Sequence, residues 1–276
     1  MRVLDLFSGI GGFSLGLERA GMKTVAFCEI DPFCRTILEK HWPNVPIYED
    51  VRTITAERLK RDGIAADVIC GGFPCQDVSN AGTRSGLAGE RSGLWSEYAR
   101  LIGDMGPRFV IVENVAALLA RGVDIVLRDL AALGYDAEWH CIPAAAVGAQ
   151  HIRDRIWIIA YSDANRELQS QRREQDQRGW SGDCVETAYA NIDQARLSRG
   201  VQTGTNGSND GSVIPRLRLA LGTSERISRD YWDHKPVLGR GLHGVPNRVD
   251  RVMALGNAVV PQIPEAIGRA IMAATN

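Results

Sequence analysis

Several reactive side chains stand where apolar runs end, the places where a chain leaves its core and can meet a substrate. Cys75 lies in GGFPCQDVS (71–79), just after the apolar run DVIC. Cys70, inside that run, looks like an ordinary buried cysteine, whereas Cys75 sits in a loop fixed by Pro74 and two glycines. A free thiol titrates at about 8.5, so a nucleophile here needs a positive environment or a general base. An inert loop cysteine is the alternative. Glu113 closes the run FVIVE, and a carboxyl group leaving an apolar strand can hold a proton at neutral pH. Its alternative role is that of an acid at a helix N-terminus, satisfying backbone donors. Arg153 and Arg155 in HIRDR are two residues apart, so on an extended segment both face one side and suit an anionic substrate; a solvated strand edge is the plainer reading. DLFSGIGGF (5–13) carries glycines 9, 11 and 12, which let the backbone approach a ligand. Glu29 ends the following strand, 24 residues after Asp5, where an acid commonly holds ribose hydroxyls. Asp50 follows the third strand, near the same rim. A tight turn without a ligand would also explain the glycines. GNAVVPQ (256–262) offers Asn257 on a turn with Pro261 just beyond, and taken alone it is only a turn.

The elements that must position these groups alternate. Strands are expected at Val3–Phe7, Lys23–Glu29, Asp67–Cys70, Phe109–Glu113 and Ile156–Tyr161. Helices are expected at Gly11–Ala20, Pro32 to about His41, 94–105 and 122–133. Strands alternating with helices of this length imply βαβ units and a parallel sheet. Ligands bind at the carboxyl edge of such sheets, where Cys75, Glu113 and the Gly-rich turn all fall. The pattern breaks after Tyr161. Residues 165–215 are rich in Gln, Arg, Asp, Gly, Ser and Asn, and TGTNGSNDGS (203–212) reads as a mobile loop because nothing in it can pack. Aromatic islands such as Tyr231 and Trp232 follow without a clear period. Helical character returns from Arg248 to Ala274, interrupted by VVPQIP. The expected organisation is a large α/β domain from residues 1–163 and 247–276, with a small irregular region at 164–246.

Composition narrows the function classes. The 276 residues are 45% hydrophobic and 24% charged, values that exclude a disordered, collagen-like or coiled-coil chain. No apolar run reaches the roughly 18 residues that a membrane helix needs. The run after Met1 reads as a core strand, and no secretory leader is expected. Six scattered cysteines form no CxxC pair, so neither a disulfide framework nor a zinc site is expected, and a reducing cytoplasm is the expected location. The net charge of −1 is unevenly spread: residues 1–163 carry 17 basic against 21 acidic side chains, and residues 164–251 carry 14 against 11. The basic residues of the second region are nearly all arginine, the residue that binds phosphate and guanine in bidentate fashion.

DLFSGIGGF, the acid in FCEID, EDV, GGFPCQDVS, ENV, HIRDR and GNAVVPQ, in this order, resemble the ordered motifs of cytosine-C5 DNA methyltransferases. The resemblance covers residues 1–160 and about 247–272. HGVPNRVDRVMALGNAVVP is most similar to the compact bacterial and phage members. The resemblance implies a Rossmann-like, doubly wound sheet with S-adenosyl-L-methionine as cofactor and double-stranded DNA as partner. The target cytosine would be flipped from the duplex, its reacting carbon being inaccessible in the stack. Cys75 would add to C6, Glu113 would hold N3 and the exocyclic amine, and Arg153 with Arg155 would orient the base and support the thiolate. Phe7, Gly9, Gly11, Ile30 and Val51 would line the cofactor. Glu29 would hold its ribose, Asp50 its adenine and Asn257 its amino-acid end. Ser79, Arg84 and Arg91 would meet the DNA backbone from a loop hinged at Gly82, Gly86 and Gly89. A restriction-modification role, possession of a cognate endonuclease and monomeric action are further expectations of this kind.

Two departures stand out. Many members carry Gln two residues before the first arginine, where this chain has His151. The region between IWIIAY and HGVPNR is shorter than the family's usual target-recognition region, which leaves the nine arginines from Arg172 to Arg229 as candidate base readers or phosphate contacts. A transfer-RNA cytosine-C5 methyltransferase on the same fold, or a relative that binds without turnover, are the competing readings.

Overall fold

The computed structural model describes residues 1–74, 93–162, 204–205 and 248–275. Its first half follows the expected alternation: β1 (Arg2–Leu6), α1 (Gly12–Arg19), β2 (Lys23–Cys28), α2 (Pro32–His41), β3 (Ile47–Tyr48), a 3-10 turn at Val51–Thr53, α3 (Ala56–Arg61) and β4 (Val68–Gly71). Then come α4 (Leu94–Met105), β5 (Phe109–Val115), α5 (Leu118–Arg121), α6 (Val123–Ala132), β6 (Tyr135–Pro143) and β7 (Asp154–Ser162). Two-residue β8 (Gly204–Thr205), α7 (Arg248–Asn257) and α8 (Gln262–Thr275) complete the described elements. Local chemistry accounts for the boundaries. Asp31 accepts from the amides of Phe33 and Cys34 and Pro32 opens α2, both standard ways to satisfy or remove orphan donors.

The strands form one sheet in the order β3-β2-β1-β4-β5-β7-β6-β8. Strands β1 to β5 are parallel. The chain winds outward from β1 in one direction and from β4 in the other, so the crevice between them is a topological switch point. Two apolar layers cover the sheet. On one face Val3, Val68, Phe109, Ile111 and Trp157 pack with α1 and α8. On the other Leu4, Leu6, Ile69, Val110 and Ile158 pack with α3, α4 and α6. Helices α1 and α8 approach closely because Gly16 faces the Pro261 carbonyl and Gly268 faces the Ala20 methyl, positions where a Cβ would fall within 2.2 and 2.8 Å.

Two expectations need correction. The sheet is mixed rather than parallel: β7 runs antiparallel to β5, and β6 and β8 continue antiparallel. The cause is β6, a nine-residue strand directly before β7, so the two form a hairpin-like pair and no crossover helix intervenes. Secondly, Gly204 and Thr205, within the stretch read as a loop, pair with Trp139 and Glu138 of β6. Backbone pairing needs no side chain that can pack. The rest of the 164–246 region, with the arginines from Arg172 to Arg229, lies outside the described residues. Among the described residues no helix is long and apolar enough to cross a membrane.

Candidate active site

The Gly-rich turn between β1 and α1 is held at both ends. The Ser8 hydroxyl donates to the Asp5 carbonyl (2.6 Å), and the Gly11 amide closes the turn onto the Ser8 carbonyl (2.9 Å). Phe7, Gly9 and Gly11 all take positive φ, of 53°, 53° and 85°. Phe7 pays the steric cost that the glycines avoid. The glycines differ in purpose. A Cβ on Gly9 would meet nothing within 4 Å, whereas one on Gly11 would press into the Trp42 ring at 2.6 Å and one on Gly12 into the Val259 carbonyl at 2.5 Å. Among the described residues, the space beside Gly9 is free, whereas the other two glycines admit parts of the protein. The Trp42 indole is itself fixed by its N–H to Glu18 (2.9 Å).

Glu29 stands just past β2 with its carboxylate buried against this turn. Its Oε2 accepts from the Gly9 amide (2.6 Å) and its Oε1 from the Asp31 amide (2.8 Å). Each oxygen keeps a second lone pair for a hydroxyl donor. Ile30 is 65% exposed beside it, a large apolar side chain with no core to enter. Arg35, which sequence reasoning passed over, fixes this corner by donating to the Ile30 carbonyl (2.7 Å). Asp50 is engaged by Arg52, with Arg52 Nη2 2.6 Å from its Oδ2, and this pairing holds its carboxyl below the usual carboxylate range. Val51 is buried in the core behind it. A crevice with an acid, an open glycine and an exposed isoleucine at its rim fits a nucleoside bearing a ribose diol; Asp50 must share its charge with Arg52 to take part.

Glu113 and Arg155 make the centre of the second half. Arg155 Nε lies 3.0 Å from Glu113 Oε1, a diagonal pair across antiparallel β5 and β7. Direction decides this geometry. Reversed, β7 would bring Arg155 in opposite Phe109 at the amino edge of the sheet, about 13 Å from Glu113 at 3.3 Å per residue. Burial pushes the Glu113 carboxyl up, and Arg155 and then Arg153 oppose that shift. Glu113 thus lies within a strand, facing an arginine, and does not cap a helix. Its other oxygen, Oε2, faces Gly72, where a Cβ would come within 2.7 Å. Asn114, next to Glu113, donates to the Phe73 carbonyl (2.8 Å) and so ties β5 to the loop leaving β4. The motif ENV marks this residue too, but sequence alone does not say that its amide reaches across 41 residues.

The two arginines of HIRDR do not face one side. Arg153 takes φ 36°, so the segment is not extended there. Its guanidinium turns to the GNAVVPQ segment and donates to the carbonyls of Gly256 (2.7 Å) and Ala258 (2.6 Å), on either side of Asn257. Arg155 makes the short ion pair with Glu113, and Arg153 acts on the same carboxyl at longer range. Cys75, Ser79, Arg84 and Arg91, with the hinge glycines, lie outside the described residues, which stop at Pro74 and resume at Gly93.

Comparison with known proteins follows the same lines. The model of one protein family, C-5 cytosine-specific DNA methylase, matches residues 1–220. Type II methyltransferase M2.BsuMI of Bacillus subtilis is 35% identical over 168 residues, 58% of this chain and 42% of that protein. Type II methyltransferase M.FnuDI of Fusobacterium nucleatum is 33% identical over 165 residues, 58% of this chain and 47% of that one. The chain spans about half the length of the curated relatives it matches. Among solved structures, the S. pombe Dnmt2 methyltransferase superposes with a TM-score of 0.60 at 18% identity, over 100% of this chain and 99% of that one, and shares the fold.

Proposed function

Because the chain belongs to the C-5 cytosine-specific DNA methylase family, we propose that it transfers a methyl group from S-adenosylmethionine to C5 of a cytosine in duplex DNA. The observation that carries this reading is the buried Glu113–Arg155 pair at the carboxyl edge. It adjoins the loop that runs from β4 through Gly72 and Pro74 into Cys75. A carboxyl group held in an apolar setting against one guanidinium suits a neutral heterocycle that gains charge as it reacts.

In this mechanism the cytosine is flipped into the pocket. The Cys75 thiolate adds to C6, and the electron pair of the C5–C6 double bond moves through the ring toward N3. Glu113 delivers a proton to N3 or shares one with it, and Arg155 fixes the Glu113 carboxyl on its far side. C5, now enamine-like, takes the methyl group that S-adenosylmethionine supplies as an electrophile. Loss of the C5 proton to water, return of the N3 proton to Glu113 and expulsion of the Cys75 thiolate restore the double bond and release 5-methylcytosine. On the cofactor side Glu29 receives ribose hydroxyls, Ile30 covers an adenine face, Asp50 takes its amine, and the open space at Gly9 admits the chain toward Asn257. Phe7, Gly11 and Val51 support this wall from behind. Ser79, Arg84 and Arg91 meet DNA phosphates, and the 164–246 region reads the site. Action as a monomer in the cytoplasm, in a restriction-modification, phage or orphan modification setting, belongs to the same proposal.

Bisulfite sequencing of DNA from cells expressing the chain, beside Cys75→Ala, tests it. Conversion-resistant cytosines in one short motif, absent in the variant, are expected. Folded protein that leaves no 5-methylcytosine in DNA, or that labels transfer RNA instead, overturns the proposal.

A further inference from the structure

The arginine that feels Glu113 only at longer range has a task of its own. We propose that Arg153 is a positioning residue for the cofactor: its guanidinium bridges the carbonyls on either side of Asn257 and holds that turn against the first turn of α1. This rests on the cofactor reading above. Gly256 is the penultimate residue of α7, and carbonyls there lack partners within the helix. The last turn of α7 contains no basic residue of its own. Arg153 supplies the cation from a distant part of the chain, 103 and 105 residues away along the sequence. Its planar fork can reach two carbonyls at once, which an ammonium cannot do with the same rigidity. One residue past Ala258, the Val259 carbonyl sits over Gly12 so closely that a Cβ there would come within 2.5 Å. A shift of the Asn257 turn is thereby passed to the start of α1, beside the Gly-rich turn.

The backbone of Arg153 makes the same point. At φ 36° it occupies a region that is strained for a non-glycine residue. The conformation persists because it aims the side chain across to α7; the neighbouring Ile152 carbonyl accepts from the Ala144 amide (2.7 Å) and anchors the segment. A cavity of about 170 Å³ opens beside the strut, between His151, Leu255, Ala258, Val260 and Gln262.

Arg153→Gly separates the strut from backbone strain, since glycine accepts the positive φ. Titration calorimetry with S-adenosylmethionine, thermal melting and gel-shift binding of duplex DNA are compared for wild type, Arg153→Gly and Arg153→Lys. The Gly variant should melt no lower than wild type yet bind S-adenosylmethionine with a Kd raised on the order of tenfold or more. The Lys variant should fall between, and DNA affinity should stay near wild type. Millimolar ethylguanidinium, for which the enlarged cavity has room, should restore part of the cofactor affinity in the Gly variant. Unchanged cofactor affinity in the Gly variant, or a loss of DNA affinity in its place, overturns the strut alone. A wild-type chain that binds no S-adenosylmethionine overturns the strut and the proposed function together.

Discussion

Replacing Asp5 with asparagine should remove about 4 kcal/mol of pH-dependent instability from this protein. Asp5 is the penultimate residue of β1, fully buried, between Leu4 and Leu6. Its Oδ2 accepts from the Ser14 hydroxyl (2.7 Å) and amide (3.3 Å), three residues into a helix whose cap, Gly11, has no side chain to offer. Burial dominates its titration and pushes the carboxyl from 3.8 to about 7; Ser14 and the Cys70 thiol favour the charged form, and Glu29 disfavours it. At longer range its charge bears on Cys28 and on Tyr98 from α4. The folded value is raised, so between the two values the native state keeps a proton that the unfolded chain has released. Stability from this group is therefore greatest below about 3.8 and is lost as pH rises to about 7, beyond which the loss is complete. The interval is about 3 units at 1.36 kcal/mol each, which gives the figure above. Urea unfolding at half-unit steps from pH 4 to 8, with wild type minus Asp5→Asn as the readout, isolates Asp5 from every other titrating group. The difference should fall steadily and level off near pH 7. A flat difference, or one that favours wild type as pH rises, would refute the argument from burial.

The site gives two further expectations. Glu113→Gln should slow methyl transfer by a factor on the order of 10². Because burial raises the Glu113 carboxyl, the protonated form persists to higher pH, and the wild-type rate should decline as pH rises through its titration. That decline should be missing in single-turnover rates of the Gln variant. Gly72→Ala should also cost activity on the order of 10²-fold while the melting temperature changes little, because a methyl 2.7 Å from Glu113 Oε2 displaces the carboxyl from Arg155 without entering the core. Transfer rates near wild type would mean that the carboxyl can work from the displaced position.

Where sequence and structure agree, the information was local. Helix α2 runs from Pro32 to His41 as expected because its start is written in three adjacent residues, Asp31, Pro32 and Phe33. Helix α4 spans Leu94–Met105 for a similar reason: Gly93 and Gly106 bracket a single amphipathic stretch. The Gly-rich turn was legible as a turn but not as three different glycines. Gly11 is required by Trp42 and Gly12 by Val259, residues 31 and 247 positions away, so their cause cannot be found in DLFSGIGGF itself. Asp5 did leave a signal, a carboxylate set in V-L-D-L-F, which an apolar strand has no reason to tolerate unless the charge is suppressed or used.

The direction of β7 cannot be read from its own residues, because it depends on the strand before it. IWIIAY is buried on both faces, and such a run reads the same whether its neighbours are parallel or antiparallel. The arbiter was YDAEWHCIP, whose Asp, Glu and His obscure a strand in which buried positions only partly alternate with open ones. Once β6 is recognised, β7 must return beside it, and its first residues arrive at the carboxyl edge with Glu113. The same return explains why two arginines so close in sequence serve different ends. Arg155 lies within the β5–β7 ladder, so the pleat commits its side chain to the face that holds Glu113. Arg153 precedes the strand, and its left-handed φ frees it from the pleat to reach the turn around Asn257. The substrate and cofactor halves of the proposed site are thus joined through three residues of one strand entry. Variants at Arg153 and Arg155 should therefore separate cofactor affinity from the chemical step, although the two side chains leave the chain only two residues apart.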